Sequence, residues 1–225
     1  NSELKSKYIL RGILNQSNDQ ECINIFQNQM NSEKIFNKFN KHIKGPLILQ
    51  PKIFKDERGY FYESFNQEKF NQITKSFNFF VQDNVSYSIY GVLRGLHYQL
   101  EPKAQGKLIK VLKGEIYDVV VDLRKSSSTF LSWFGIELNE KNNKQLWIPK
   151  GFAHGFLTLS DIAIVEYKVD NFWSKENERS LIWNDELINI NWPLKKIKCL
   201  KPKLSKKDLL GETLNNLQKS NEIFR

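Results

Sequence analysis

Two of the three histidines stand in settings that could support acid–base chemistry. His97 ends the segment Arg94-Gly95-Leu96-His97, and His154 ends Pro149-Lys150-Gly151-Phe152-Ala153-His154. An imidazole has an unperturbed pKa of about 6.5, so it exchanges protons readily near neutral pH. Apolar residues and glycine surround both, which predicts a partly buried cavity, although a lone histidine there is more often a hydrogen-bonded core residue. His42 lies in a polar region, and we expect it to be incidental.

The spacing Pro149-x-Gly151-x-x-His154 is similar to that of cupins, small double-stranded β-helix barrels, at a strand that lines the cavity. Metal-binding cupins hold their ion with imidazoles and a carboxylate. Their first motif usually has two histidines one residue apart, and the second of those positions is Gln99 here. Two histidines without a third strong ligand make a poor transition-metal site. We therefore expect no metal; a metal cupin oxygenase stays as an alternative that metal analysis would test.

The composition limits the partners. The net charge of +9 suggests nucleic acid or a small dianion such as a nucleotide diphosphate. The lysines are spread along the chain and no zinc-finger, RRM or helix-turn-helix signature is present, so we expect no nucleic-acid partner. No apolar run approaches the roughly 18 residues of a membrane span, and residues 1–11 lack a secretory signal. Two cysteines form neither a disulfide framework nor a metal motif. We expect a cytoplasmic protein without a membrane partner.

From Gly45 onward, short β-prone runs alternate with turn residues, which indicates a mainly β sandwich or barrel. Helices are predicted near residues 67–77, with Phe70, Ile73 and Phe77 on one face, and over residues 205–217. The predicted strands cover residues 47–54, 79–85, 108–112, 116–123, 133–138, 145–148, 155–159 and 163–168.

The N-terminal region has a different texture. Residues 1–42 are polar, and Phe36, Phe39 and Ile43 are spaced as in a short amphipathic helix. We expect an extension over 1–42, partly helical or disordered, followed by a β-barrel domain over 43–225 with a C-terminal helix. Met30 is the only methionine, and we expect the natural chain to start there. A native mass that includes upstream residues would contradict that start.

Seven blocks of sequence carry a more specific signal. They are Phe54-Lys55-Asp56-Glu57-Arg58-Gly59-Tyr60-Phe61, Gln82-Asp83-Asn84-Val85-Ser86, Leu93-Arg94-Gly95-Leu96-His97-Tyr98-Gln99, Gln105-Gly106-Lys107-Leu108, Gly114-Glu115-Ile116-Tyr117-Asp118-Val119, Ile148-Pro149-Lys150-Gly151-Phe152-Ala153-His154-Gly155-Phe156, and Glu178-Arg179 before Trp183. In this order, over residues 43–211, they closely resemble the dTDP-4-dehydrorhamnose 3,5-epimerases. The resemblance implies a cupin-type jelly-roll barrel with a few short peripheral helices.

The resemblance also implies a reaction: epimerisation of dTDP-4-dehydro-6-deoxy-D-glucose to dTDP-4-dehydro-L-rhamnose, for surface polysaccharide. The hydrogens on C3 and C5 of this sugar lie next to the C4 ketone, so removing either gives an enolate. The chemistry needs a base, a cation or donor at the developing oxyanion, and an acid on the opposite face. It needs neither a metal nor a redox cofactor. The family is typically homodimeric, and a strand over residues 47–54 could pair across subunits.

Matching the motifs assigns roles residue by residue. The resemblance implies that His97 is the base, Asp208 its carboxylate partner, Lys107 the cation near the C4 oxygen, and Tyr167 the proton donor. Ser205-x-x-Asp208 is also a helix-capping pattern, so capping is an alternative role for that pair. The substrate-binding residues are expected to be Arg58 and Arg94 at the pyrophosphate, Glu63, Gln82 and Asn84 at the nucleotide or sugar, and His154, which would orient the sugar or support the base.

Trp173 departs from the family pattern. The sixth residue after the donor Tyr167 is usually a second tyrosine, and an indole offers no phenolic hydroxyl, although it can stack on thymine or shape the pocket. This departure leaves a 3-epimerase or a 5-epimerase of a related dTDP-4-keto-deoxysugar as an alternative. A non-catalytic sugar-nucleotide-binding cupin is a further one, and it predicts loss of His97, Lys107 or Tyr167, all of which are present.

Overall fold

The computed structural model describes residues 30–198 and 201–225. These residues divide into two compact units: residues 30–31 and 51–64 belong to one, and residues 32–50, 65–198 and 201–225 belong to the other. Predictions for residues 1–29 lie outside the described residues. The larger unit carries the two main sheets. The smaller contains a hairpin of two short strands.

Short strands dominate the described part of the chain, so the prediction of a mainly β protein is confirmed. Three short α-helices accompany them: α1 (Gln67–Thr74), α2 (Lys206–Leu209) and α3 (Leu214–Lys219), with a 3₁₀ turn at Leu194–Ile197. The strands are β1 (Met30–Phe36), β2 (His42–Pro51), β3 (Phe54–Asp56), β4 (Gly59–Phe61), β5 (Gln82–Ile89), β6 (Leu93–Gln99), β7 (Lys107–Lys113), β8 (Glu115–Asp122), β9 (Trp133–Asn139), β10 (Gln145–Ile148), β11 (Phe152–Thr158), β12 (Ile162–Val169) and β13 (Glu178–Ser180).

The main strands form two sheets. One has six strands in the order β1-β2-β10-β7-β12-β5, and the other has five in the order β13-β6-β11-β8-β9. The ladders that join β5, β12, β7, β10 and β2, and those that join β13, β6, β11, β8 and β9, are antiparallel. Many of these neighbours are distant in sequence, as expected for the predicted jelly-roll barrel.

Side chains point alternately to the two faces of each strand, and this alternation determines which polar residues lie on the inner face. Side chains two apart share a face. On β8, Ile116 and Val120 belong to a core cluster that draws on both sheets, whereas Val119 and Val121 belong to a second cluster. Asp118 lies between Ile116 and Val120, so it shares their inner face. The same rule puts three more polar residues on the inner face: Lys107 beside Ile109 and Val111, Tyr167 beside Val165, and His154 between Phe152 and Phe156.

The second cluster explains why β8 is apolar on both faces. The C-terminal part of the chain covers the outer face of the five-stranded sheet, where Leu214, Leu217 and Trp192 join Val119 and Val121 in one buried cluster. This packing ties the segment that contains α2 and α3 to the sheet of β6 and β11. The position of Asp208, the buried residue of α2, therefore depends on the C-terminal cover.

Helix α1 confirms the helix predicted near residues 67–77. The Asn66 side chain accepts the backbone N–H of Lys69 as the N-cap, and the helix ends where Lys75 adopts φ 53°. Phe70 is buried, with its ring edge-on to Phe80 and Trp147. Phe77 lies beyond the helix and is 89% exposed, so it does not share the apolar face that the spacing predicted.

The helix predicted from Phe36, Phe39 and Ile43 is wrong. Strand β1 ends at Phe36, the Asn37 side chain accepts the backbone N–H groups of Phe39 and Lys41, and β2 begins at His42. Ile35 and Ile43 are both fully buried in the core between the sheets. Pairing and burial in the sheet outweigh a helical spacing that rests on only three apolar residues.

The single helix predicted over residues 205–217 is also wrong. Helices α2 and α3 are separate, and between them Glu212 exchanges backbone hydrogen bonds with Ser180 and Ile182. A Cβ on Gly211 would lie 3.0 Å from the Ile182 backbone, so glycine permits this close approach. Leu214 and Leu217 are buried, whereas Leu209 and Leu210 are exposed. Among the described helices, none combines the length and apolar character needed to cross a membrane.

Candidate active site

A cavity of about 220 Å³ opens in the larger unit, beside the inner-face polar residues Lys107, His154 and Tyr167. Strands of both sheets contribute to it: β5, β7 and β12 from the six-stranded sheet, and β6, β11 and β13 from the five-stranded sheet. Its lining consists of Asn84, Arg94, His97, Gln105, Lys107, His154, Phe156, Tyr167, Val169, Trp173 and Glu178. Seven predicted site residues are thereby brought together: Asn84, Arg94, His97, Lys107, His154, Tyr167 and Trp173.

Two facing glycines let the histidine-bearing strands approach each other. Gly95 on β6 has φ +116°, and a Cβ there would lie 2.6 Å from the Cα of Gly155 on β11. No side chain fits in that gap, and the left-handed region suits glycine in any case. His97 and His154 are direct partners in this ladder, so the two imidazoles enter the cavity from neighbouring strands.

His97 is held by Asp208. The Nε2 atom of His97 lies 2.5 Å from Oδ1 of Asp208, which also accepts the Gly95 backbone N–H at 3.4 Å. The Ser205 hydroxyl donates to Oδ2 of Asp208 at 2.8 Å and accepts the Asp208 backbone N–H at 3.1 Å. Ser205-x-x-Asp208 therefore caps α2 and also brings a carboxylate to the imidazole, so the two interpretations of this motif are compatible.

The environment moves both pKa values of this pair down. Burial lowers the pKa of His97 below its usual range; the hydrogen bond and charge of Asp208 oppose this, and the charges of Lys207 and Lys107 add to it. Burial alone would raise the pKa of Asp208, but hydrogen bonds from His97, Ser205 and Gly95 outweigh that effect. The resting pair is accordingly a neutral imidazole beside a carboxylate, a combination that can accept a proton.

Lys107 extends from β7, and its Nζ donates to the carbonyl oxygen of His97 at 3.4 Å. Burial lowers the pKa of Lys107 to about 8, against the opposing attraction of Glu178. Glu178 in turn lies 2.6 Å from Nζ of Lys207. Near neutral pH the ammonium is still charged, and it is poorly hydrated, so it can stabilise a negative oxygen in the cavity.

Tyr167 stands on β12, in the sheet opposite that of His97. Its hydroxyl donates to the Ser86 hydroxyl at 2.7 Å. Burial raises the pKa of Tyr167, while the hydrogen bond to Ser86 and the charge of Arg94 oppose the rise. The phenol therefore keeps its proton at neutral pH and can deliver it into the cavity.

His154 is paired with Asp118. Nε2 of His154 lies 2.6 Å from Oδ1 of Asp118, and both side chains are almost fully buried. Within the described residues, Oδ2 of Asp118 has no hydrogen-bond partner. The pair joins β11 to β8 inside one sheet and turns the other ring nitrogen of His154 away from the carboxylate.

The remaining predicted residues divide between the two units. In the larger unit, Nε of Arg94 donates to the Ser88 hydroxyl and Nη2 to the Tyr87 carbonyl, while Gln82 contacts both Asn84 and the backbone of Trp173. Arg58 belongs to the smaller unit. It lies in the turn between β3 and β4, with its side chain 84% exposed and ion-paired with Asp56. Glu63 lies in that unit too and is half-buried. The substrate-binding roles of Arg58 and Glu63 therefore stay predictions.

Sequence reasoning missed four polar residues of the site: Asp118, Gln105, Glu178 and Lys207. Gln105, Asp118 and Glu178 stand inside recognised blocks, but nothing in their spacing ties them to a histidine or a lysine far away in the chain.

Across the two described stretches, no group of three or more His, Cys, Asp or Glu side chains converges as a metal would require. The cavity combines a base, a cation and a hydroxyl on the opposite wall, which suits proton transfer at a carbon next to a carbonyl.

Comparison with known proteins identifies the family. The family model described as dTDP-4-dehydrorhamnose 3,5-epimerase matches residues 40–216. A Shigella flexneri protein of that name is 53% identical over 78% of this chain and 94% of its own length. The Legionella pneumophila dTDP-6-deoxy-D-glucose-3,5-epimerase, solved in complex with dTDP-4-keto-L-rhamnose, is 42% identical with a TM-score of 0.78, over 87% of this chain and 98% of that one. A 3′-monoepimerase from Streptomyces bikiniensis, in complex with dTDP-quinovose, is 31% identical with a TM-score of 0.75, over 80% and 89% of the two chains. This chain belongs to the dTDP-4-dehydrorhamnose 3,5-epimerase family.

Proposed function

We propose that this protein is an isomerase that inverts C3 and C5 of dTDP-4-dehydro-6-deoxy-D-glucose and releases dTDP-4-dehydro-L-rhamnose. The reaction serves dTDP-rhamnose and surface polysaccharide synthesis in the cytoplasm and uses no metal or redox cofactor. The single observation that carries the proposal is the arrangement of His97 and Tyr167 on opposite walls of one cavity, with Lys107 beside His97.

The first half of the reaction is proton removal. Nε2 of His97 faces Asp208, so Nδ1 is the nitrogen that accepts the proton. The C–H bond at C5 or C3 breaks, and its electron pair forms the enolate with the negative charge on the C4 oxygen. Lys107 stabilises that oxygen, and Asp208 stabilises the imidazolium that results.

The second half is protonation from the other face. Tyr167 gives its hydroxyl proton to the same carbon, the carbonyl re-forms, and the centre is inverted. Tyr167 recovers a proton from solvent as His97 releases the one it took, so the cycle leaves the enzyme unchanged. Two such cycles, one at each carbon, complete the conversion.

The substrate-binding roles follow the charges around the cavity. Arg94, together with Arg58, would hold the pyrophosphate, since guanidinium groups bind phosphate oxygens in pairs. His154 would orient the sugar. The nucleotide and sugar would also contact Glu63, Gln82, Asn84 and Trp173.

A homodimer is part of the proposal, but not through the strand expected over residues 47–54. Strand β2, which contains residues 47–51, lies between β1 and β10 inside its sheet, whereas β5 lies at an edge. On the edge strand β5, the outward side chains Val85, Tyr87 and Ile89 are 64%, 57% and 47% exposed. A row of apolar side chains on an edge strand is typical of a surface that another subunit covers. We expect a dimer mass by light scattering, and a Tyr87→Glu variant should run as a monomer. A wild-type mass of one chain would contradict this part of the proposal.

The test is incubation with dTDP-4-dehydro-6-deoxy-D-glucose in D₂O, with NMR reading the label and the configuration. We expect deuterium at both C3 and C5 and the L-configured product. Label at one carbon alone would overturn the double epimerisation in favour of a 3- or 5-epimerase. Tight binding of dTDP with no label at either carbon would instead indicate a non-catalytic sugar-nucleotide-binding protein.

A further inference from the structure

The connection between β12 and β13 carries Trp173 at the mouth of the cavity. Residues 170–177 have no strand or helix, and the Trp173 side chain is about half exposed while it lines the cavity. A connecting segment of this kind is ordinarily among the more mobile parts of a protein. An indole on such a segment would make a poorly defined wall unless something fixes the backbone on either side of it.

Gln99 supplies that fixation. Gln99 is 3% exposed, and among the residues that the structure describes its amide forms hydrogen bonds only with backbone groups. Nε2 donates to the carbonyls of Lys103 and Phe172, at 2.5 and 3.2 Å, and Oε1 accepts the N–H of Ser174 at 2.8 Å. The two contacts to the connection flank Trp173 on both sides. This is the position at which metal cupins carry a second histidine, and here the amide uses both donors and its acceptor on backbone.

Two more glutamines hold the same segment from other directions. Oε1 of Gln82, on β5, accepts the Trp173 N–H at 3.2 Å, and Nε2 of Gln105 donates to the Asn171 carbonyl at 2.7 Å. Backbone groups of four consecutive residues, 171–174, are therefore bound by side-chain amides from β5, from β6 and from the connection between β6 and β7. Among these, Gln99 is the one that contacts both sides of Trp173, so its loss should free the indole most.

We propose that Gln99 is a positioning residue that fixes Trp173 as a rigid wall of the active site, and that this pair acts as one unit in binding the nucleoside diphosphate. The inference rests on the proposed function for the identity of the ligand. Gln99 itself touches no substrate; its effect passes through the backbone at Phe172 and Ser174 to the indole.

The first measurement needs no ligand. The protein is labelled with 5-fluorotryptophan, and the Trp173 resonance is assigned with Trp173→Phe. Gln99→Met should shift or broaden that resonance, whereas Tyr98→Phe should leave it unchanged. Tyr98 is a matched control, because it is the preceding residue, is equally buried, and donates its own hydrogen bond to the Glu222 carbonyl on the other face of β6. An unaltered Trp173 resonance in Gln99→Met would overturn the proposal.

The second measurement is a double-mutant cycle on dTDP affinity by calorimetry. Gln99→Met and Trp173→Ala should each weaken dTDP binding by about tenfold, the effect of roughly one hydrogen bond or stacking contact. The double variant should bind no more weakly than Trp173→Ala alone. The coupling would be contradicted if the losses of dTDP affinity in the two single variants multiplied in the double variant. It would also be contradicted if Gln99→Met bound dTDP as tightly as the wild type. If Gln99→Met fails to fold, Gln99→Glu, which keeps the acceptor for Ser174, carries the same two expectations.

These outcomes separate from a failure of the proposed function. If the wild-type protein bound no dTDP or exchanged no deuterium, the proposed function would fall, and the fluorine spectrum would still decide whether Gln99 fixes Trp173. If exchange occurred at both carbons but the cycle showed independent effects, only the positioning role would be wrong.

Discussion

Two histidine–aspartate pairs reach the same cavity, and they differ in how they meet solvent and in what surrounds the carboxylate. The side chains of His97 and Asp208 are 27% and 5% exposed, whereas those of His154 and Asp118 are 5% and 0% exposed. The first pair joins a strand to the short helix α2 that lies outside the sheets. The second joins two neighbouring strands of one sheet. The first is therefore built to face a ligand, and the second to hold a fixed orientation.

Hydrogen bonding sharpens the contrast. Asp208 is served by Ser205 and Gly95 as well as by His97, which keeps its charge stable through the reaction. In the described part of the chain, one oxygen of Asp118 lacks any such partner. Asp118 instead contributes attraction that supports the charge on Lys107. Asp208 thus supports the base His97, whereas the negative charge of Asp118 helps to keep Lys107 protonated.

The largest expected effect separates the two imidazoles. His97→Gln should lower kcat by about 10³-fold, within the range for loss of a general base. His154→Gln should mainly raise KM, by about tenfold, because a binding hydrogen bond is worth about 1.5 kcal/mol. Steady-state kinetics on both variants checks this. Equal losses of kcat would remove the distinction between base and support.

The next effect concerns the cation. Lys107→Ala should lower kcat by about 10²- to 10³-fold, since one oxyanion partner is lost. Lys110→Ala is the matched control: it lies on the same strand and its Nζ pairs with Glu166 at 2.7 Å, but it alternates away from the inner face. That control should keep wild-type kcat. A comparable loss in both variants would point to damage to β7 rather than to lost oxyanion stabilisation.

Changing the two carboxylates should give opposite kinds of damage. Asp208→Asn should cost about 10- to 100-fold in kcat, because the imidazolium loses its counter-charge. Asp118→Asn should cost less activity but lower the free energy of unfolding by about 1–3 kcal/mol, since a buried amide would lack full hydrogen bonding. Paired kinetics and chemical denaturation check both. The comparison fails if Asp118→Asn is the more damaging change to kcat.

The smallest effect is the pH dependence of kcat/KM. The base must be neutral, so activity should rise with pH through the His97 pKa, which lies below 6.5. The cation must be protonated, so activity should fall again as pH rises through the Lys107 pKa of about 8. Within one pH unit of either limb the change is at most about tenfold. Lys107→Arg should move the alkaline limb upward; a limb that stays in place would assign it to another group.

The sequence was informative about strands wherever apolar residues dominate, as in β7 to β12. It gave no strand for residues 93–99, the segment that carries His97, because Arg94 and Gly95 interrupt the apolar pattern. The structure explains the interruption: Gly95 is needed for the close contact with Gly155, and Arg94 faces the cavity. The residues that interrupt the strand pattern of β6 are thus the ones that the site requires.

For the site, residue type and family likeness indicated His97, Lys107, Tyr167 and His154, which the structure brings to one cavity. They could not indicate Asp118 as the partner of His154, since that contact arises from pairing β8 with β11 across 36 positions of sequence. For Gln99, they indicated only that a metal-ligating histidine is absent at that position. Its actual contacts, to a connection more than 70 residues away, depend on tertiary structure.

The most direct test of the account is solvent exchange by His97→Ala. The variant is incubated with dTDP-4-dehydro-6-deoxy-D-glucose in D₂O, and NMR follows label at C3 and C5 while calorimetry measures dTDP affinity. We expect no deuterium at either carbon beyond the uncatalysed rate, with dTDP affinity close to that of the wild type. Exchange at the wild-type rate in this variant would show that His97 is not the base.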